Sequence, residues 1–229
     1  MAVEWVVAAG VLVGASALLW GLSAWMTRRI ETTVPINGRF VEVDGERFHY
    51  VEEGKGPPLV MIHGLMGSSR NLTYALSGQL RERFRVITLD RPGSGYSSRG
   101  AHTAADLPAQ ARQIAAFIKT LDLDKPLVLG HSLGGAIALA LALDHPHAVS
   151  GLVLVAPLTH PQRLLPLVFL SLAVRPAWLR RWVSHTLTLP VGLLTKGSVV
   201  KGVFAPDTAP PDFATRGGGL LGMRPDNFY

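Results

Sequence analysis

The stretch Leu127–Gly135 reads LVLGHSLGG, and the apolar run AIALALAL (Ala136–Leu143) follows it without a break. Branched apolar residues bounded by small ones give a short buried strand, and the eight residues after the glycines are helix formers. Between strand and helix stands one hydroxyl, Ser132, with glycine at minus two (Gly130) and plus two (Gly134). A packing turn needs a glycine, but it does not need a serine enclosed by them.

The spacing Gly130-His131-Ser132-Leu133-Gly134 is GxSxG. In a nucleophile elbow of this form the serine takes a strained backbone conformation, and the flanking glycines remove the clashes of a sharp strand-to-helix turn. The hydroxyl is then lifted above the sheet edge at a helix N-terminus, where free amides and the helix dipole favour developing negative charge. The same five residues also occur as simple packing turns, so the neighbouring loops decide between the readings.

Working outward, GRFVEVDGERFHYVEEG (Gly38–Gly54) alternates apolar and polar residues around Asp44-Gly45, the pattern of two strands joined by a tight hairpin. Continuous apolar runs recur at PLVMIH (Pro58–His63), FRVITLD (Phe84–Asp90), PLVLGH (Pro126–His131) and GLVLVAP (Gly151–Pro157), as expected of strands buried on both faces. Helical periodicity falls on Ala109–Leu121 and on Leu133–Leu143. Strands alternating with helices predict an α/β fold whose sheet is mostly parallel, with an antiparallel N-terminal hairpin at one edge.

Two further loops follow strand runs. His63-Gly64-Leu65-Met66-Gly67 lies where a second oxyanion-hole amide is needed, the first coming from the residue after the nucleophile. The candidate site residues are therefore Ser132, Leu65 and Leu133, with Met66 as the alternative to Leu65. Asp90-Arg91-Pro92-Gly93-Ser94-Gly95-Tyr96-Ser97 forms a tight loop in which Asp90 can accept backbone amide hydrogens. That is a structural role; a catalytic acid is the sharper alternative.

Taken together, HGLMG, DRPGSGYS and GHSLGG resemble the α/β-hydrolase superfamily. The likeness is to the branch with a helical cap, which includes esterases, lipases, epoxide hydrolases, haloperoxidase-like enzymes and carbon-carbon bond hydrolases. It covers about Arg39–Pro157 well and 158–229 loosely. It implies an α/β-hydrolase fold with a helical cap and a serine activated by a histidine that an acid orients, in the chain order serine, acid, histidine. The acid usually follows a seventh strand and the histidine an eighth, and no run in this sequence matches either strand. His145 and His147 end the elbow helix. His160 follows the sixth strand, His185 lies in the cap, and Asp207, Asp212 and Asp226 fall in loose sequence. The expectation is a chain truncated before the triad acid and base.

Composition sets the rest. With 48% apolar and 17% charged residues the chain is a folded or membrane-linked protein, and without cysteine it has no disulfide, thiolate chemistry or cysteine-bound zinc. No metal or organic cofactor is implied. Residues 1–157 carry 14 basic and 13 acidic side chains, whereas residues 158–229 carry 8 and 3. This basic segment has no nucleic-acid-binding motif and is rich in Leu, Val and Trp, which favours a lipid surface over nucleic acid.

Trp5–Met26 is 22 residues without Lys, Arg, Asp or Glu, about 33 Å as a helix. Arg28 and Arg29 follow, and Trp5, Trp20 and Trp25 lie near the ends. A cleaved signal peptide is disfavoured because Glu4 stands where a basic n-region belongs and the apolar run is long. The reading is a transmembrane anchor over 1–29, a hydrolase core over 30–157 on the cytoplasmic side, and a helical cap over 158–229 laid over the strands. The expected function is hydrolysis of an ester, amide or similar bond in a small or lipophilic substrate. The alternatives are a catalytically silent relative that binds a hydrophobic ligand or partner, and a lipid-surface structural protein.

Overall fold

The computed structural model describes residues 1–100, 103–160, 174 and 176–228; of the apolar piece 164–174, all but Val174 lie outside these. The chain divides into two compact units, one made of Val34–Arg163 with Pro211–Gly222, the other of Met1–Thr33, Leu164–Pro210 and Met223–Tyr229.

The first unit holds a six-stranded sheet. Strands β1 (Arg39–Val43) and β2 (Glu46–Glu53) form the hairpin, β3 (Pro58–Ile62), β4 (Arg85–Leu89), β5 (Leu127–His131) and β6 (Gly151–Val155) follow, and the spatial order is β1-β2-β4-β3-β5-β6. Asp44 and Gly45 at the hairpin tip both have positive φ, 50° and 81°, the signature of the type I′ turn whose twist matches the strands it joins. β1–β2 and β2–β4 pair antiparallel, and the remaining pairs are parallel.

Period-two alternation sends neighbouring residues of each central strand to opposite faces. Val60, Ile62, Ile87, Leu89 and Val128 pack with Ile114, Phe117, Ile137 and Leu141, which belong to the helices on that face. Leu59, Met61, Val86 and Leu129 pack with Leu72 on the other. Each such side chain, fully buried, contributes about 1.5–3 kcal/mol.

The helices are α2 (69–80, interrupted by a π-helical turn at Thr73–Ser77), α3 (Leu107–Thr120) and α4 (Leu133–Asp144). α3 starts two residues before the apolar periodicity begins. Asp106 caps it by accepting from the Ala109 amide at 2.8 Å, and a proline sits in its first turn.

The sixth strand departs from its expected burial on both faces. Among the described residues β6 pairs with β5 alone and is the edge of the sheet, and Val153, Leu154 and Val155 are 37–42% exposed. An apolar sequence does not state whether a strand has one neighbour or two.

The C-terminal third is also shared between the units. Pro211–Gly222 folds with the sheet, where the Gly217 carbonyl accepts from Asn71 Nδ2 at 2.7 Å and Tyr74 donates its hydroxyl to Asp212 at 2.6 Å.

The second unit contains α1 (Ala2–Thr33), α5 (Ala177–Val183) and α6 (Leu189–Phe204), the last two joined by a π-helical turn, Ser184–Thr188. Trp20 of α1 stacks on His185 at 4.3 Å, Ser23 and Ser184 are fully buried, and Arg224 pairs with Glu31 at 3.0 Å. Val3–Thr33 and Ala177–Phe204 are each long and apolar enough to cross a membrane, by length and composition alone. The second was not legible in the sequence, because Arg180, Arg181, Pro190 and Lys196 interrupt its apolar run.

Candidate active site

Ser132 stands at φ 54°, ψ −118° between β5 and α4. A side chain there costs about 1–3 kcal/mol and persists only where surrounding bonds over-determine it. Those bonds are present: the Ser132 amide donates to the Val155 carbonyl at 3.0 Å, and the Ser132 carbonyl accepts from Gly135 and Leu158, both at 2.9 Å. A Cβ on Gly134 would fall 2.2 Å from the Ile62 carbonyl oxygen, and one on Gly130 would fall 2.4 Å from that of Gly134. No larger residue fits either position, so the two glycines let α4 start directly against β3 and β5.

The loop after β3 lies against this elbow. A Cβ on Gly64 would meet the Ser132 Cβ at 3.0 Å and His131 Nδ1 at 3.3 Å. The structure therefore sets Gly64 against Ser132, and Leu65 and Leu133, the chain neighbours of these two residues, are half-buried. Among the described residues neither the Leu65 nor the Leu133 amide donates a hydrogen bond. For Leu133 this follows from its place at the first position of α4, where helical amides have no intrahelical acceptor. Met66, the alternative to Leu65, has φ 54°, and Gly67 donates to the Gly64 carbonyl at 3.2 Å, which closes a type II-like turn.

Beneath the loop is a buried polar cluster. His63 accepts from the Arg91 amide through Nε2 at 3.0 Å, so its proton is on Nδ1, which donates to the Gly64 carbonyl at 2.8 Å. Burial, with the Arg91 charge, lowers the His63 pKa to about 3, and the ring is neutral. Arg91 reaches Gly64 through Nη2 at 3.0 Å and Gln110 through Nη1 at 2.9 Å. Burial brings its pKa down to about 10, which still leaves it charged at neutral pH.

Asp90 is fully buried and accepts from His49 Nδ1 at 2.7 Å, from the Ser69 amide and from the Tyr96 amide at 2.9 Å. Burial alone would raise its carboxyl; the hydrogen bond and charge of His49 outweigh that and hold it below the ordinary carboxylate range.

The other candidates are dispersed. His145 and His147 follow the 12 residues of α4, about 18 Å from its start. His160 is exposed and its Nδ1 lies 2.9 Å from the Thr159 hydroxyl. His185 stacks on Trp20 in the second unit. Asp212 is paired with Tyr74 and Arg216, and Asp226 lies 3.5 Å from Arg224. Among the described residues the Ser132 hydroxyl makes no capping or other side-chain hydrogen bond, and no group of three or more His, Asp and Glu is placed to hold a metal ion. Arg91, Gln110 and His49 were not singled out in the sequence. The available signal was the Asp-Arg pair closing a strand that is buried on both faces.

With this geometry in place, comparison with known proteins defines the class. A family model described as the alpha/beta hydrolase fold matches residues 57–202. The chain belongs to the α/β-hydrolase superfamily.

Haloalkane dehalogenase 2 of Mycobacterium bovis is 36% identical over 123 residues, 52% of this chain and 42% of that protein. The dihydrolipoyllysine-residue acetyltransferase component of the acetoin cleaving system of Cupriavidus necator is 38% identical over 121 residues, 52% of this chain and 32% of that protein. The chain thus spans less than half the length of these curated relatives. Among solved structures, a membrane phospholipase A described as a bacterial virulence factor superposes with a TM-score of 0.62 at 26% identity, covering 99% of this chain and 70% of that one.

Proposed function

We propose that this chain carries the nucleophile and oxyanion elements of a membrane-anchored serine hydrolase. Ser132 attacks the carbonyl carbon of an ester, amide or similar bond, its proton passing to a general base, and the Leu65 and Leu133 amides hold the oxygen as it becomes negative. No residue is assigned as that base. The reading rests on the strained elbow: a serine is held at φ 54°, ψ −118° beside a loop whose Leu65 amide has no acceptor among the described residues.

Residues 1–29 form the anchor, 30–157 the nucleophile-bearing core and 158–229 a cap. The uncharged run Trp5–Met26 supports the anchor, and Arg28 and Arg29 favour a cytoplasmic core by the positive-inside rule. The likeness over almost the whole chain to a protein named as a membrane phospholipase supports a lipophilic substrate reached at the bilayer surface.

A fluorophosphonate probe tests the chemistry. The full chain in mild detergent should be labelled at Ser132, and Ser132→Ala should abolish the label. Absence of label would favour the second reading, a silent relative that binds a hydrophobic ligand. The hydroxyl without a partner among the described residues supports that alternative, because serine without a base is a poor nucleophile near neutral pH.

A further inference from the structure

We propose that Arg91 and His63 are positioning residues of the oxyanion pocket: by gripping the Gly64 carbonyl they fix the Gly64–Leu65 peptide plane with the Leu65 amide turned toward Ser132. This rests on the serine-hydrolase reading above and adds what orients one of its two donors.

The argument is one of peptide geometry. In a planar trans peptide the carbonyl of one residue and the N–H of the next point in opposite directions, so holding one aims the other. Three donors converge on the Gly64 oxygen: His63 Nδ1 at 2.8 Å, Arg91 Nη2 at 3.0 Å and the Gly67 amide at 3.2 Å. Hydrogen bonds from a charged donor are about twice as strong as neutral ones, which makes Arg91 the main hold on this plane.

Both side chains are themselves fixed. His63 is 1% exposed and bonded at both ring nitrogens, and Arg91 is 4% exposed with its other arm on Gln110. Gly64 itself packs against the elbow, since any side chain on it would strike the Ser132 Cβ at 3.0 Å. A buried arginine that bonds neither substrate nor nucleophile is costly to retain. Holding a flexible glycine peptide in one of two orientations accounts for its retention.

Arg91→Met and Arg91→Lys test the role by two readouts. The first is the second-order rate of fluorophosphonate labelling at Ser132, measured per folded protein on the full chain in mild detergent. Complete loss of an oxyanion donor costs about 10²–10³-fold, which sets the ceiling. With His63 and Gly67 still in place, Arg91→Met should slow labelling by about tenfold or more. Arg91→Lys, a single-point donor, should fall between it and wild type. A residue that only stabilises the fold would lower the melting temperature and leave this rate unchanged.

The second readout is the orientation of the Gly64–Leu65 peptide in crystals of wild type and variant, expected to be single in wild type and rotated or mixed without the guanidinium. An unmoved peptide together with unchanged labelling overturns the proposal. If wild type is not labelled, the nucleophile reading falls, and the peptide orientation alone decides whether Arg91 holds the plane. If Arg91→Met does not fold, Arg91→Lys carries both measurements: a slower rate or a rotated peptide supports the role, and neither overturns it.

Discussion

Lowering the pH from 7 to 5 should cost the fold about 2 kcal/mol through His63 alone. The ring is buried, accepts from the Arg91 amide and lies beside the Arg91 charge, so its pKa in the folded protein is about 3. In the unfolded chain the same ring titrates near ~6.5. Between these values the unfolded state binds a proton that the folded state refuses. Stability is therefore complete above the unfolded pKa and is lost as pH falls below it, at about 1.4 kcal/mol per pH unit, until the folded ring itself protonates near 3. Integrated from pH 7 to pH 5, the loss is about 2 kcal/mol.

The comparison is with His63→Gln, which has no proton to take up and leaves the other histidines in place. Urea unfolding of both full chains in nonionic detergent, followed by circular dichroism at pH 7, 6 and 5, gives the two slopes. The variant should begin less stable, having lost the ring's bonds, yet lose about 2 kcal/mol less than wild type over this range. Parallel slopes would refute the reasoning, because they would mean that the folded ring accepts a proton as readily as the unfolded one. The Nε2 acceptor role beneath Gly64 would then fail with it.

Two further outcomes are expected. Ser132→Gly should raise stability by about 1 kcal/mol in the same unfolding assay while removing the nucleophile, since glycine occupies φ 54° without the cost that serine bears; a destabilised variant would show that the elbow is not strained. Deleting residues 1–29 should move the protein from the membrane pellet to the soluble fraction on ultracentrifugation. Persistence in the pellet would transfer the membrane affinity to Ala177–Phe204, the second helix of sufficient length and hydropathy.

Much of this architecture is written locally in the chain. The hairpin at Asp44-Gly45 follows from residues that tolerate positive φ, and the strands β3, β4 and β5 from apolar runs that can be buried on both faces. The elbow at Ser132 follows from glycines placed where a Cβ would strike the backbone of neighbouring segments. Such features depend on φ preference and side-chain size over a few residues, and a sequence states those directly.

Tertiary structure alone decided what is set by residues far apart in the chain. That Gly64 touches Ser132, and that Arg91 and His63 share the Gly64 carbonyl, depends on β3, β4 and β5 lying side by side in register. That β6 has one strand neighbour among the described residues depends on which strands pair with it, and its own GLVLV run is silent on the point. The division of 158–229 between two units likewise arises from partners such as Asn71 and Tyr74, more than a hundred residues away. Local propensity is a property of each segment, whereas a contact exists only once the sheet has brought both of its ends to one place.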